Sequence, residues 1–123
     1  MSDEEVVRIS LPGDARYLRV ARLTASALAA DAGLTVEEIE DVRVAIDELC
    51  AALVQDAPDA EEPIELAFQV DGARLIVTGE RHGAGEFGEL DPIAQELLTV
   101  TADEHSLGVD GQRRWVRLLK GEA

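Results

Sequence analysis

The chain has 123 residues, 46% hydrophobic and 3% aromatic, and its 26 acids against 11 bases give a net charge of −15. That length and hydrophobicity predict one domain over 1–123 with a core of Leu, Val, Ile and Ala, and they exclude a disordered tail. So acidic a surface argues against direct nucleic-acid binding and suits a partner that is itself basic. No apolar run approaches a membrane span, and the start, MSDEEVVR, lacks a signal peptide's basic and apolar regions, so a cytoplasmic location without a membrane partner is expected.

The elements read in order. Val6 to Leu11 alternates as a short strand and stops at Pro12-Gly13. Asp14 caps a helix expected from about Ala15 to Ala32, which Gly33 ends. Its apolar side is expected at Tyr17, Val20, Ala21, Thr24 and Leu28, with Leu18 and Ala25 at the edge. Arg16, Arg19 and Arg22 lie outside the centre of that side. Thr35 with Glu38 forms a capping box for a second helix. On it Ile39, Val42, Ile46, Leu49, Cys50 and Leu53 recur at three- and four-residue spacings and form one apolar stripe. Asp41, Ala45, Glu48, Ala52 and Gln55 form a second line beside it. Cys50, the single cysteine, excludes an intrachain disulfide and reads as a buried, inert thiol.

A polar turn, DAPDAEEP, precedes two strands, Ile64–Val70 and Arg74–Thr78, joined at Asp71-Gly72 as a hairpin. The glycine-rich GERHGAGEFGE follows as a loop. It lacks the Lys-Ser/Thr ending of a Walker phosphate cradle. A third helix is expected from about Asp91 to Thr99, then strands near Asp103–Val109 and Gln112–Lys120 around Asp110-Gly111. Arg113, Arg114 and Arg117 surround Trp115 and are expected to pair with acidic neighbours across the sheet. His82 and His105 stand singly, without a second ligand at metal spacing, so no metal site is expected. The order β-α-α-β-β-α-β-β predicts an α+β two-layer sandwich. Its mixed, mostly antiparallel sheet carries the helices on one face.

This order, with YLRVARLTASALAADAGLTVEEIEDVRVAIDELCAALV and the closing RRWVRLLK, resembles the RsbW-like anti-sigma factors, in particular their divergent actinobacterial branch. These are bacterial serine protein kinases on the histidine-kinase-type ATPase fold. The resemblance covers nearly the whole chain and is weakest between Gly79 and Leu90. It implies that Glu48 matches the general base that activates the attacking hydroxyl. The metal-binding Asn expected four positions later falls on Ala52, which has no oxygen for a hard cation. The adenine-reading motif, Asp-x-Gly-x-Gly, is approximated by Glu80, Gly83 and Gly85 with one residue too many; Gly79 is the alternative at the Asp position. Only a short segment stands where the family has a phosphate lid. On the first helix, Arg19 falls where the family contacts its sigma factor and anti-anti-sigma factor, with Arg16 and Arg22 beside it.

The resemblance thus implies a degenerate nucleotide site with no required cofactor and at most weak ATP or ADP binding. The partners implied are an alternative, stress-response type sigma factor, a STAS-type anti-anti-sigma factor and a second copy of the chain. Two rival readings stay open, an active ATP-dependent serine protein kinase with unusual ligands and a noncatalytic signalling scaffold.

Overall fold

The computed structural model describes residues 5–55, 61–83 and 90–122. Strand β1 is Val6–Leu11. The Asp14 carboxylate then accepts from the Arg16 amide at 3.0 Å and opens a 3-10 turn, Ala15–Tyr17, ahead of helix α1, Leu18–Asp31. The expected single helix from Ala15 therefore begins with a tighter turn.

The buried line of α1 is Ala21, Ala25 and Ala29, with Tyr17, Leu18 and Leu28 packed at its margins. This corrects the expected apolar side. Val20 is 36% exposed, and Thr24 spends its hydroxyl on the Val20 carbonyl at 2.8 Å. Small side chains on the inward line let α1 lie close against the next helix, so the alanines, not the larger residues, face the core.

Helix α2, Val36–Val54, starts at a complete capping box. Thr35 Oγ1 accepts from the Glu38 amide at 3.1 Å, and the Glu38 carboxylate accepts from the Thr35 amide at 2.9 Å. Val42, Ile46, Leu49, Cys50 and Leu53 are buried as one stripe, with Ile39 packed at its end.

Strands β2 (Ile64–Asp71) and β3 (Ala73–Arg81) form a hairpin through Gly72, whose φ of +67° suits glycine. Helix α3, Pro92–Thr101, is capped by Asp91, whose carboxylate accepts from the Ile93 amide at 2.7 Å. Strands β4 (Glu104–Asp110) and β5 (Arg113–Glu122) close the chain around Gly111, φ +63°.

The five strands lie in the order β1-β2-β3-β5-β4, every neighbouring pair antiparallel. The sheet is thus narrower in type than the mixed one expected. Leu66 and Phe68 of β2, Leu75 and Val77 of β3, and Val116 and Leu118 of β5 face the α2 stripe in one core. Helix α2 sits centrally in the helical layer, touching both α1 and α3. Among the described residues the opposite face of the sheet carries no helix. Among the described residues no helix is long and apolar enough to cross a membrane.

Strand β3 outruns its expected end at Thr78. Its ladder with β5 continues through Gly79–Val116, Glu80–Trp115 and Arg81–Arg114. The first three residues of the expected glycine-rich loop are therefore strand, and residues 82–91 alone connect β3 to α3.

Candidate functional site

The second line of α2 faces β5 and the C-terminal part of the sheet. Ala45 and Ala52 are buried on it, and Glu48 is half-buried between them. Towards the N-terminus, Lys120 Nζ donates to Asp41 at 3.1 Å and lies 3.8 Å from Asp103. Towards the C-terminus, Arg114 Nη1 donates to the carbonyls of Ala52 at 3.1 Å and Gln55 at 2.7 Å. Arg81 reaches the same helix end, donating from Nη1 to the Leu53 carbonyl and from Nε to the Glu62 carbonyl, each at 3.2 Å. Glu48 itself accepts no hydrogen bond among the described residues.

Two buried guanidinium groups thus close the last turn of α2. Arg81 and Arg114 are each 1% exposed and are opposite one another across β3 and β5. The last carbonyls of a helix lack partners within it and carry partial negative charge, so cationic donors belong there. Strand alternation turns Arg114 inward, where its cross-strand partners are Arg81 and Val109 rather than acids and its guanidinium reaches the helix end. Arg113, one residue earlier, turns outward and does pair as expected, with Glu80 at 2.9 Å and Asp110 at 3.9 Å.

The structure does not bring the sequence candidates together. The side chain of Glu80 points to the helix-free face, where it meets Arg113 and, through Oε2, His82 Nε2 at 2.9 Å. Arg113 holds the Glu80 carboxyl below its usual range, and His82 adds to the effect against some desolvation. Glu48 lies on the other side of the sheet. A residue read as an adenine anchor beside Glu48 is therefore placed on the wrong face, because successive strand residues alternate. At Gly79 a Cβ would meet Leu66 at 2.7 Å, Val116 at 3.1 Å and Leu53 at 3.2 Å, so that position has no room for a carboxylate. Gly83 has φ +72° beside Glu62, and Gly85 lies outside the described residues.

The inward residue with the right spacing is Arg81, in Arg81-His82-Gly83-Ala84-Gly85. Its signal was legible in the alternation Leu75, Val77, Gly79, Arg81, which puts all four on one face. Ala52 is 4% exposed and its carbonyl is bonded by Arg114. Cys50 is fully packed, and burial, with help from Asp47, pushes its thiol up to about 12. It has no chemistry to offer at neutral pH.

In the 3-10 turn ahead of α1, Arg16 pairs with Asp14 at 3.2 Å and lies over the Tyr17 ring at 5.1 Å, and on α1 Arg22 pairs with Asp47 at 3.5 Å. Arg19, between them, is exposed and makes no hydrogen bond or ion pair among the described residues. Among those residues no three potential metal ligands cluster, and His82 and His105 are both exposed.

Residues 11–110 match the model of the histidine kinase-like ATPase domain family. The chain is 30% identical over 95 residues to the serine-protein kinase RsbW of Halalkalibacterium halodurans, an alignment covering 76% of this chain and 56% of that one. It is 30% identical over 100 residues to the serine-protein kinase RsbW of Bacillus subtilis, covering 78% and 60%. The chain therefore spans little more than half the length of these relatives. A crystal structure of the RsbU and RsbW domains of a Mycobacterium tuberculosis protein superposes with a TM-score of 0.70 at 15% identity, covering 94% of this chain and 32% of that one.

Proposed function

Since the chain belongs to the histidine kinase-like ATPase domain family and is RsbW-like, we propose that it is an anti-sigma regulatory factor without kinase activity. It binds and sequesters an alternative, stress-response type sigma factor and is displaced by a STAS-type anti-anti-sigma factor. In this reading residues 1–123 are one domain, work in the cytoplasm as a homodimer, and require no cofactor.

The observation that carries the loss of kinase activity is the end of α2. A buried alanine stands at position 52, and the guanidinium of Arg114 holds its carbonyl. Phosphoryl transfer depends on positioning and on metal ions that neutralise the developing charge. Position 52 has no side-chain oxygen for a hard cation, and its carbonyl oxygen already accepts from Arg114. Position 81, inward at motif spacing, carries a cation where an adenine amino group would need an acceptor. Among the described residues the fit to nucleotide with magnesium is poor. Release of the sigma factor then rests on competition between partners.

Arg19 supports the partner surface. Its free planar fork pairs bidentately with carboxylates. The net charge of −15 suits a partner with the basic surfaces that DNA binding requires.

Titration calorimetry with the host's purified sigma factor tests the binding. Arg19→Glu is expected to weaken it at least tenfold, about 1.4 kcal/mol, while Arg43→Glu on α2 leaves it unchanged and circular dichroism shows both folded. Equal binding by the parent and Arg19→Glu removes α1 from the contact surface, and no binding by the parent refutes sequestration.

Glu48 favours a second reading, an active serine protein kinase, because its carboxylate is half-exposed and uncommitted among the described residues. Label passing from radiolabelled ATP to a serine of the antagonist, and lost in Glu48→Gln, establishes the kinase.

A further inference from the structure

The helix-free face of the sheet carries a feature that has no part in the proposed regulation. Arg8, Ala67, Thr78 and Arg117 are register partners across β1, β2, β3 and β5. Partners in antiparallel strands point to the same side, so the row reads long, short, short, long. The two arginines wall a depression of about 580 Å³ over the short pair, with Trp115 and Arg113 also lining it. That volume lies within the range of small-molecule pockets.

Its electrostatics run against the rest of the chain. Three arginines and two glutamates, Glu65 and Glu80, line it. Arg113 satisfies Glu80 at 2.9 Å, and the Ser10 hydroxyl donates to Glu65 at 3.0 Å. Arg8 and Arg117 make no hydrogen bond or ion pair among the described residues. Two uncommitted guanidinium groups therefore border one trough in a chain of net charge −15.

Trp115 adds a fixed apolar wall. Its ring lies across Gly108 of β4, where a Cβ would come within 2.7 Å of the ring. A side chain at position 108 would have to displace the ring.

These features select the ligand's size and charge. A polyanion, whether nucleic acid or an acidic protein, meets the repulsion of the whole chain. A small molecule with one charged group is governed by charges within about a Debye length, roughly 10 Å at 0.1 M salt. We propose that this trough binds a small organic oxyanion, a carboxylate or phosphate on a planar apolar body. The oxyanion lies between Arg8 and Arg117, which offer bidentate pairing, and the apolar body lies against Trp115.

The chain has one tryptophan, so its emission reports on this site alone. Phenyl phosphate and benzoate, titrated separately into the full chain, distinguish the two head groups, with neutral benzamide as control. A saturable emission change is expected with at least one of the anions and none with benzamide. Arg8→Ala and Arg117→Ala, both at exposed positions, are expected to weaken binding at least tenfold, and Arg43→Ala to leave it unchanged. Quenching adds a readout independent of affinity. Iodide is expected to quench Trp115 better than caesium in the parent, and worse in the double variant Arg8→Glu, Arg117→Glu. No saturable change with either anion at millimolar concentration overturns the proposal. So does binding that both alanine variants retain, or caesium outperforming iodide in the parent.

Discussion

Replacing Arg114 by alanine removes the guanidinium that closes the end of α2. The side chain is 1% exposed and donates to the Ala52 and Gln55 carbonyls at 3.1 and 2.7 Å. Hydrogen bonds from a charged donor contribute about 1.5–3 kcal/mol each, and a buried acceptor left without a partner costs about 1–3 kcal/mol. The carbonyl of exposed Gln55 turns to water, whereas that of buried Ala52 does not. Loss of the cation at the helix C-terminus adds about 0.3–1 kcal/mol, and loss of the buried stem adds packing. Relief from holding a charge out of water offsets part of this total. The expected loss is about 3–5 kcal/mol, a large share of the roughly 5–15 kcal/mol that stabilises a domain. With a urea slope of about 2 kcal/mol per molar, the midpoint falls by about 2 M. Arg114→Met keeps the stem and sheds the charge, so it is expected to cost less, about 1–3 kcal/mol. An Arg114→Ala midpoint within the equivalent of 1 kcal/mol of the parent would refute the clamp, as would a methionine variant weaker than the alanine one.

Leu49→Ala, at 1% exposure in the centre of the α2 stripe, is expected to cost about 2–5 kcal/mol in urea unfolding; a cost under 1 kcal/mol takes that face out of the core. The Glu80 carboxyl is depressed in the folded chain, chiefly by Arg113, so its contribution is full above its ordinary value of 4.5 and fades as pH falls through the lower folded value. The stability gap between the parent and Glu80→Gln should narrow as urea midpoints are taken from pH 7 down through that acidic window, and a gap independent of pH contradicts the pairing. Cys50, its thiol raised to about 12 by burial, should resist a thiol reagent at neutral pH in the folded chain and react at once in denaturant; equal rates in both states would show the stripe open to solvent.

Local chemistry made much of this architecture legible. The capping box at Thr35 and Glu38, the Asp-Gly turns at 71–72 and 110–111, and the period of the α2 stripe each depend on near neighbours, and each appears where the residues put it. The resemblance placed Glu48 and exposed the missing oxygen at Ala52, since both depend only on helical spacing. The apolar side of α1 was not fixed this way. Alanine, valine and threonine are all compatible with either side, and close approach of α2 decided for Ala21, Ala25 and Ala29.

The remaining decisions needed the sheet. Whether Gly79–Arg81 is loop or strand depended on the β5 ladder, which extended β3 by three residues. That extension fixed the alternation, sending Glu80 to the helix-free face and Arg81 inward. Arg113 and Arg114 are neighbours in sequence and equal in charge. One turns out to a carboxylate and the other in to the carbonyls of a helix more than fifty residues away, because a strand reverses face at every residue while a charge pattern in sequence carries no face at all. The trough between Arg8 and Arg117 was invisible for the same reason: its four-residue row comes from four strands, and only their register sets long side chains on either side of short ones.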